Sequence, residues 1–519
     1  MEDVFVYPLK NSNEYKEIIN SICERKGALQ LNGLLDMQKP HITYSIFKEL
    51  ARPTLFIANS DLEAKKVYNE LRFYTKDKVE YLGTDEIYFY HLDAKDRSEE
   101  AKKLRVLLKL AKKQKTIVVT SVDAILRKYI PKKVLLDNIF TYKIGDIINL
   151  EELSQNLVRL GYERVSRIEG LGQFSIRGGI IDVYSLEYTN PIRIELFDDE
   201  IDSIRTFDVF SQKSIDKIKK VVITPSREFI YPEDTTSAVE KIKEETNKYT
   251  DDDVLKNIEN ISDRTYFQGV ENYIDYLYDD QNKSIFSYLP DNGIVVMSDI
   301  SRLKERCENY LNEFKDNYNL NLERGLAIKN QGNLIYSYEE LPYILEDKKL
   351  IINSLLAKPI NGFSVNNVID FNSREIPAYN SKLDTFKYNG YKIILAVNSS
   401  DRCKKLQKDL LDLGLEVGIS KSRNTEIKSS QIIIVPANIS KGFEYKSIKF
   451  QVITDTEIIG VNKRVSKKTK NKKNKDGKKI ESFLDLKIGD YVVHENHGIG
   501  VYRGIEQIIA DGVSKDYMK

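Results

Sequence analysis

The sequence is poor in cysteine and has no long apolar run. Its 519 residues include three cysteines, Cys23, Cys307 and Cys403, and none of them forms a CxxC pair. This scarcity argues against a disulfide scaffold or a zinc ribbon and fits a reducing cytosol. No apolar stretch approaches the ~18 residues of a membrane-spanning helix, and the start MEDVFVYPLK carries acid where a signal peptide needs base. We therefore expect a cytoplasmic protein without a membrane partner.

The charge is nearly balanced. Eighty Lys and Arg residues face 79 Asp and Glu residues, for a formal net charge of +1. The whole chain is therefore not a polycation built for nucleic acid. Its length predicts about three or four domains at roughly 150 residues each.

The clearest β pattern lies in residues 161–214. Apolar and polar residues alternate over residues 174–177 (FSIR), as in a strand that is half buried in a sheet. Gly178-Gly179 is expected to let this strand bulge or bend before Ile180-Ile181 resumes it.

A second alternating run, residues 192–197 (IRIELF), leads into the turn-prone pair Asp198-Asp199, which predicts a β-hairpin. If its isoleucines and leucine face the core, Arg193 and Phe197 face outward. An aromatic residue beside an arginine on an exposed sheet face is typical of a binding hot spot. The alternative is a Phe covered by a neighbouring loop and arginines that are merely solvated.

Three segments carry a resemblance to a known family: Gly172–Asp182 (GQFSIRGGIID), Arg193–Arg205 (RIELFDDEIDSIR) and Phe207–Ser214 (FDVFSQKS). They resemble the small second domain shared by the nucleotide-excision repair protein UvrB and the transcription-repair coupling factor Mfd. The resemblance implies a docking surface for UvrA. The family's contact residues correspond by motif to Arg177, Arg193 and Phe197, which strand alternation also places on one outer face.

Residues 28–128 alternate short buried strands with helices, a pattern typical of a parallel sheet with nucleotide-binding topology. The expected phosphate loop is damaged. A functional loop needs G-x-x-x-x-G-K-[ST], but residues 33–40 read GLLDMQKP. Gly33 and Lys39 remain, whereas Gln38 replaces the second glycine and Pro40 replaces the hydroxyl residue. Ser298-Asp299 stands where the resemblance implies a magnesium-binding Asp-Glu pair, so we expect no ATP hydrolysis.

The two relatives differ at a DNA-clamping hairpin. UvrB inserts a tyrosine-rich hairpin there, whereas Tyr81–Val106 passes from loop to helix with no room for it. The chain therefore resembles Mfd more than UvrB.

The predicted fold class is α/β multidomain: a degenerate P-loop, RecA-like α/β domain with an inserted small α+β UvrA-docking domain, a second small α/β domain, and the start of a small β-barrel. The expected boundaries are residues 1–130 and 226–365 for the two parts of the first domain, 131–225 for the docking domain, 366–460 for the small α/β domain, 461–484 for a basic linker and 485–519 for the barrel. No constellation of catalytic residues is found in residues 366–460, for which spacing and support are the expected roles.

The linker is the sharpest change of composition. Residues 463–479 (KRVSKKTKNKKNKDGKK) are almost entirely basic and polar and cannot bury a core. A charged spacer is favoured over a weak, sequence-independent DNA contact through Lys467, Lys468, Lys472 and Lys473.

The last segment resembles the RNA-polymerase-interacting domain shared by Mfd and CarD-type regulators, on residues 489–494 (GDYVVH) and 497–504 (HGIGVYRG). The resemblance implies contact with the polymerase β subunit through a strand that begins near Tyr517 and Met518. Because the sequence stops there, we expect a frayed end and weakened polymerase binding. His494 and His497 are spaced like metal ligands, but without nearby Cys or clustered acids a metal site is not expected.

Together these features lead us to expect an N-terminal fragment of a coupling factor that recruits UvrA to stalled transcription complexes by protein docking. No catalytic residue, metal or cofactor is expected in it, since ATP and Mg²⁺ would belong to motor domains that it lacks. A UvrB-like damage-verifying helicase and a CarD-type transcription regulator are the alternatives. ATP turnover would favour the first, and tight polymerase binding would favour the second.

Overall fold

The structure is a computed structural model that describes residues 3–24, 27–89, 97–280, 282–355, 362–371, 373–374, 383–420, 422–454, 457, 489, 491–494, 498–510 and 513–518. Contacts divide the chain into two compact units, residues 1–461 and 462–519. No helix in the described ranges is long and apolar enough to cross a membrane.

The helices of the first unit are α1 Tyr7–Lys10, α2 Asn13–Glu24, α3 Gln38–Leu50, α4 Asp61–Thr75, α5 Arg97–Ala111, α6 Val122–Leu126, α7 Lys132–Asp137, α8 Leu150–Arg159, α9 Thr236–Glu245, α10 Asp252–Ser262, α11 Ile274–Leu277, α12 Ile300–Glu323, α13 Leu341–Ile344, α14 Leu383–Tyr388 and α15 Ser400–Asp412. Short 3-10 turns cover Lys76–Lys78, Val270–Tyr273, Ile285–Tyr288, Lys329–Asn333 and Tyr338–Glu340.

The strands of the first unit are β1 Ala28–Asn32, β2 Thr54–Ala58, β3 Val79–Leu82, β4 Ile117–Ser121, β5 Phe140–Lys143, β6 Glu163–Arg164, β7 Gln173–Arg177, β8 Ile180–Val183, β9 Ile192–Phe197, β10 Glu200–Phe207, β11 Ser214–Ile218, β12 Lys220–Ile223, β13 Ile294–Met297, β14 Lys349–Ser354, β15 Val365–Asp370, β16 Ser373–Arg374, β17 Lys392–Val397, β18 Gly418–Ile419, β19 Ile432–Pro436, β20 Phe443–Tyr445 and β21 Phe450–Thr454. The second unit contains β22 Tyr491–His494, β23 Gly498–Val501, β24 Ile505–Ala510 and β25 Val513–Met518.

A seven-stranded parallel sheet, in the order β15-β1-β14-β13-β2-β4-β3, forms the centre of the first unit. Strand β2 is buried along its whole length, as expected for a parallel strand covered on both faces. Helix α4 follows it, and the Ser60 hydroxyl caps that helix by accepting a hydrogen bond from the Glu63 amide. Strands β13 and β14 belong to this same sheet, so the chain returns to it after residues 140–223.

Residues 140–223 form a separate six-stranded sheet, in the order β11-β10-β9-β8-β7-β6, with β5 and β12 paired beside it. Its inner face packs with α8 around a core that includes Leu153, Phe174 and Ile194. The expected β9–β10 hairpin is present.

The expected continuous strand through Gly178-Gly179 is wrong. Strands β7 and β8 are antiparallel, with Arg177 opposite Ile180, so the two glycines form a hairpin turn. Gly178 has a φ of +58°, a conformation that glycine adopts without strain.

A third, mixed sheet has the order β16-β20-β21-β17-β19-β18 and packs with α3 and α4 on one face of the seven-stranded sheet. Strand β17 spans Lys392–Val397 as the apolar run predicts, and the Ser399 hydroxyl caps α15. The short apolar stretch at residues 415–419 contributes only the two-residue strand Gly418–Ile419. The expectation of a mixed α/β chain with parallel sheets is confirmed.

In the second unit, β22 pairs with β23 and β24 pairs with β25, both antiparallel. The ladder places Tyr517 opposite Glu506 and Met518 opposite Ile505. The backbone is thus paired up to Met518, where a frayed end was expected. Lys467, Lys468, Lys472 and Lys473 lie outside the described residues.

Candidate partner-docking face

The outer face of the six-stranded sheet is the face turned away from α8. Strand register places ten side chains on it, because residues directly opposite one another in antiparallel strands point to the same side. They are Ser175, Arg177, Ile180, Asp182, Arg193, Glu195, Phe197, Glu200, Ser203 and Arg205. The three residues predicted as a docking surface therefore do share one face.

Phe197 ends β9 and exposes 81% of its surface. Its neighbour across β10 is Glu200. On the other side lies the Gly178-Gly179 turn, where the Gly179 carbonyl accepts a hydrogen bond from the Leu196 amide at 2.8 Å. This turn carries no side chains, so the aromatic ring has no side chain directly across from it on that side.

Arg177 has a side chain that is 55% exposed, and its Nη2 lies 3.1 Å from Oδ2 of Asp182. The guanidinium is therefore anchored at one end while the remainder faces solvent. An arginine held in this way loses little conformational freedom when it binds a partner.

Arg193 is placed differently. Its Nε and Nη2 donate to the two carboxylate oxygens of Asp182 at 2.7 and 2.9 Å, and only 16% of its side chain is exposed. The guanidinium also stacks 4.5 Å from the ring centroid of Phe207 and reaches Oε1 of Gln212 at 3.4 Å. The hydrogen bonds with Asp182 raise the pKa of Arg193 further above its usual range.

Asp182 is the functional residue that our reading of the sequence missed. It is 1% exposed and accepts hydrogen bonds from both Arg177 and Arg193. The motif Gly172–Asp182 ends on this residue, which was the available signal, but its partners depend on the pairing of β8 with β7 and β9. On the same face, Glu195 forms an ion pair with Arg205.

The damaged phosphate loop is filled by its own side chains. Oε1 of Gln38 accepts from the Leu35 amide and its Nε2 donates to the Glu444 carbonyl, both at 2.9 Å. Nζ of Lys39 lies 3.4 Å from Oδ1 of Asp36 and 3.4 Å from Oγ of Ser298. Gln38 is thus a buried link to the third sheet, in the position where a nucleotide-binding loop has glycine.

Pro40, Gly33 and Ser298 also fit a loop that is filled by its own side chains. Pro40 lies in the first turn of α3, where its missing amide proton costs no helical hydrogen bond. Gly33 has a φ of +75°, and a β-carbon there would stand 2.4 Å from the Phe371 carbonyl oxygen. The Ser298 hydroxyl donates a hydrogen bond to the Glu63 carboxylate, in the position where the family has an acidic metal ligand. Within the described ranges, no group of three or more His, Cys, Asp and Glu side chains could hold a metal ion.

Comparison with known proteins agrees with this layout. Residues 140–229 match the UvrB interaction domain, and residues 486–519 match the CarD-like/TRCF RID domain. The chain is 30% identical to the transcription-repair-coupling factor of Bacillus subtilis (strain 168) over 532 residues, which cover 98% of this chain and 45% of that protein.

Proteins with the same name in Staphylococcus haemolyticus and Staphylococcus epidermidis are 26% and 25% identical, over 98% and 100% of this chain and 45% of each relative. The chain therefore spans less than half the length of these relatives. It is related to the transcription-repair-coupling factors, as its motifs indicated, and corresponds to their amino-terminal part.

Proposed function

We propose that this chain recruits UvrA to RNA polymerase stalled on damaged DNA, and that it does so by docking and not by chemistry. The UvrB interaction domain at residues 140–229 and the relatives named as coupling factors support this role. The outer face is the proposed UvrA site.

The observation that carries the proposal is the exposure of Phe197. A phenylalanine that exposes 81% of its surface at the end of β9 leaves an apolar ring in water. Arg177 provides a half-exposed guanidinium on the same face. Aromatic residues and arginine are enriched among the residues that dominate protein–protein binding energy.

The three proposed UvrA-binding residues have different parts in this scheme. Phe197 and Arg177 contact the partner directly. Arg193 offers a small exposed edge and mainly holds Asp182, which in turn orients Arg177. This division follows from the exposure of each guanidinium.

The match of residues 486–519 to the CarD-like/TRCF RID domain supports a second partner, the β subunit of RNA polymerase. We place this contact near Tyr517 and Met518 on β25. Residues 461–484 connect the two docking regions, and any DNA contact through their lysines would be weak and sensitive to salt.

No ATP hydrolysis is assigned to this chain. Two features support this part of the proposal: Gln38 occupies the loop with its own hydrogen bonds, and Lys39 is engaged by Asp36 and Ser298. The Asp36 carboxylate would also repel a phosphate placed there.

The test is a titration of the intact chain with purified UvrA by isothermal calorimetry. We expect binding, and we expect Phe197→Ala to weaken it by roughly 30-fold or more, as for a hot-spot residue. Phe210→Ala is the matched control, because Phe210 exposes 88% of its surface on the loop between β10 and β11, away from the hairpin tip. If the intact chain does not bind, or both variants bind like the parent, the proposed site is wrong.

A further inference from the structure

Residues 145–148 lie beside the tip of the β9–β10 hairpin and fall outside the three segments that carry the family resemblance. Ile147, in the loop between β5 and α8, forms an antiparallel bridge with Glu200. Backbone hydrogen bonds flank this bridge: Ile148 N to Asp199 O at 2.8 Å, and Gly145 N to Ile201 O at 2.9 Å. Residues 145–148 therefore lie along β10 as a short additional strip.

This pairing aligns three side chains in one row. Phe197 is opposite Glu200 across the hairpin, and Glu200 is opposite Ile147 across the bridge. Directly opposed residues point to the same side and lie about 5 Å apart. The row Phe197–Glu200–Ile147 thus crosses the outer face with its apolar ends roughly 10 Å apart, twice that spacing.

Both apolar ends are open to solvent. Ile147 exposes 73% of its surface, whereas its neighbour Ile148 is buried in the core beneath the sheet. The two isoleucines thus have opposite environments, and the outward one lies in register with Phe197. Two large apolar side chains are thus exposed in one row on the proposed docking face.

The charge of Glu200 determines which partner side chain could bind between Phe197 and Ile147. Glu200 is exposed, and among the described residues its carboxylate has no cationic partner. Asp198 and Asp199 in the adjoining turn are also exposed carboxylates. The centre of the row is therefore negative, while the Arg177 end of the same face is positive.

We propose that the partner bound at Phe197 extends over the hairpin tip to cover Ile147, and that it places a basic side chain on Glu200 between the two apolar contacts. The partner surface would then be an apolar strip with a lysine or arginine at its centre. This inference rests on the proposed function, since it describes the footprint of the same partner.

The test uses the intact chain and purified UvrA. Ile147→Ala should weaken binding roughly tenfold, because it removes most of an apolar side chain from the covered surface. Its matched control is Val158→Ala on α8, which is 57% exposed but lies on the helix that covers the inner face. The control should bind like the parent, and unchanged urea midpoints would show that both variants are folded.

The proposed contact between Glu200 and a basic side chain of the partner is tested by Glu200→Gln and Glu200→Lys. Glu200→Gln should weaken binding and flatten its dependence on salt, and Glu200→Lys should weaken it further, because it opposes a basic side chain on the partner. Glu151→Gln is the matched control, since Glu151 is exposed on α8, the helix that covers the inner face. If Glu200→Lys strengthens binding, the partner is acidic at this point and the inference is wrong.

The outcomes separate the inference from the proposed function. If Phe197→Ala loses affinity while Ile147→Ala and Glu200→Gln do not, the footprint stops at Phe197 and this inference fails alone. If Phe197→Ala binds like the parent, or the intact chain does not bind, the proposed site fails and the inference fails with it.

Discussion

Asp182 accepts hydrogen bonds from Nε and Nη2 of Arg193 on its two carboxylate oxygens, at 2.7 and 2.9 Å. Both residues lie on the outer face of the six-stranded sheet. The pair joins β8 to β9 directly across the ladder, since these two residues are opposite each other in register. Bidentate pairs of this kind set geometry as well as contributing energy.

Removing Asp182 should destabilise the chain. Asp182→Ala leaves the guanidinium of Arg193 largely buried without its counter-ion, at a cost of about 3 kcal/mol, the lower end of the range for a broken buried pair, because Arg193 keeps some contact with water. Urea denaturation of this variant should show a lower midpoint. Asp202→Ala, which changes an exposed carboxylate on the same domain, should have a midpoint within error of the parent, and equal midpoints for the two variants would contradict this role for Asp182.

Substituting Arg177 should mainly weaken UvrA binding, whereas substituting Arg193 should mainly lower the stability of the fold. Arg177→Ala removes an exposed guanidinium, so it should weaken UvrA binding and reduce its salt dependence while the urea midpoint stays close to that of the parent. Arg193→Ala should lower the midpoint, because it leaves the Asp182 carboxylate buried with one partner fewer. Calorimetric titration and urea denaturation on both variants check this. A midpoint lowered by Arg177→Ala and not by Arg193→Ala would reverse the assignment.

His41 should make stability depend on pH. It is fully buried, its two ring nitrogens lie 3.1 Å from the Tyr445 hydroxyl and 2.9 Å from the Phe5 carbonyl, and burial lowers its pKa to about 4. The unfolded chain, with an ordinary histidine pKa near 6.5, binds a proton at a higher pH than the folded chain. Stability should therefore fall as pH drops from about 6.5 towards 4, by up to about 1.4 kcal/mol per pH unit.

Urea denaturation at several pH values between 5 and 7 measures this effect. In that range carboxylates with ordinary pKa values titrate little. Burial raises the pKa of Glu70, but a raised carboxyl pKa makes stability fall as pH rises, which is the opposite sign. His41→Gln lowers overall stability but should remove most of the slope. A slope that persists in the variant would assign the pH dependence to another group.

Restoring the loop consensus should not restore nucleotide binding. The double change Gln38→Gly and Pro40→Thr rebuilds the pattern G-x-x-x-x-G-K-[ST], but Asp36 remains inside the loop and Ser298 remains bonded to Glu63. The Glu444 carbonyl and the Leu35 amide lose their partner, which should cost about 1–3 kcal/mol of stability.

Fluorescent ATP titration and urea denaturation report the two effects of that double change. Micromolar ATP binding by the variant would show that only two residues separate this module from a functional nucleotide site, and would favour the UvrB-like alternative. Gln38→Ala, which removes the same hydrogen bonds without rebuilding the consensus, is the matched control for stability.

Local patterns predicted much of the secondary structure. The apolar runs at residues 54–58 (TLFIA) and 392–397 (KIILAV) form β2 and β17 over their whole length, because continuous burial and a following serine cap are encoded in neighbouring residues. The alternation around Gly178-Gly179 predicts a bend in one strand, whereas the two glycines form a hairpin turn. A pair of glycines permits both conformations, and the choice depends on the strand that pairs with it.

The sequence alone determined that Phe197 faces outward, because strand alternation is a property of consecutive residues. It also determined that the loop at residues 33–40 departs from a phosphate-binding consensus. Only the tertiary structure decided that Asp182 joins the two arginines, that Ile147 and not Ile148 lies outward beside Glu200, and that Gln38 bonds to a carbonyl 406 residues further along the chain. Those relationships arise from strand register and from the packing of distant segments, which no local pattern specifies.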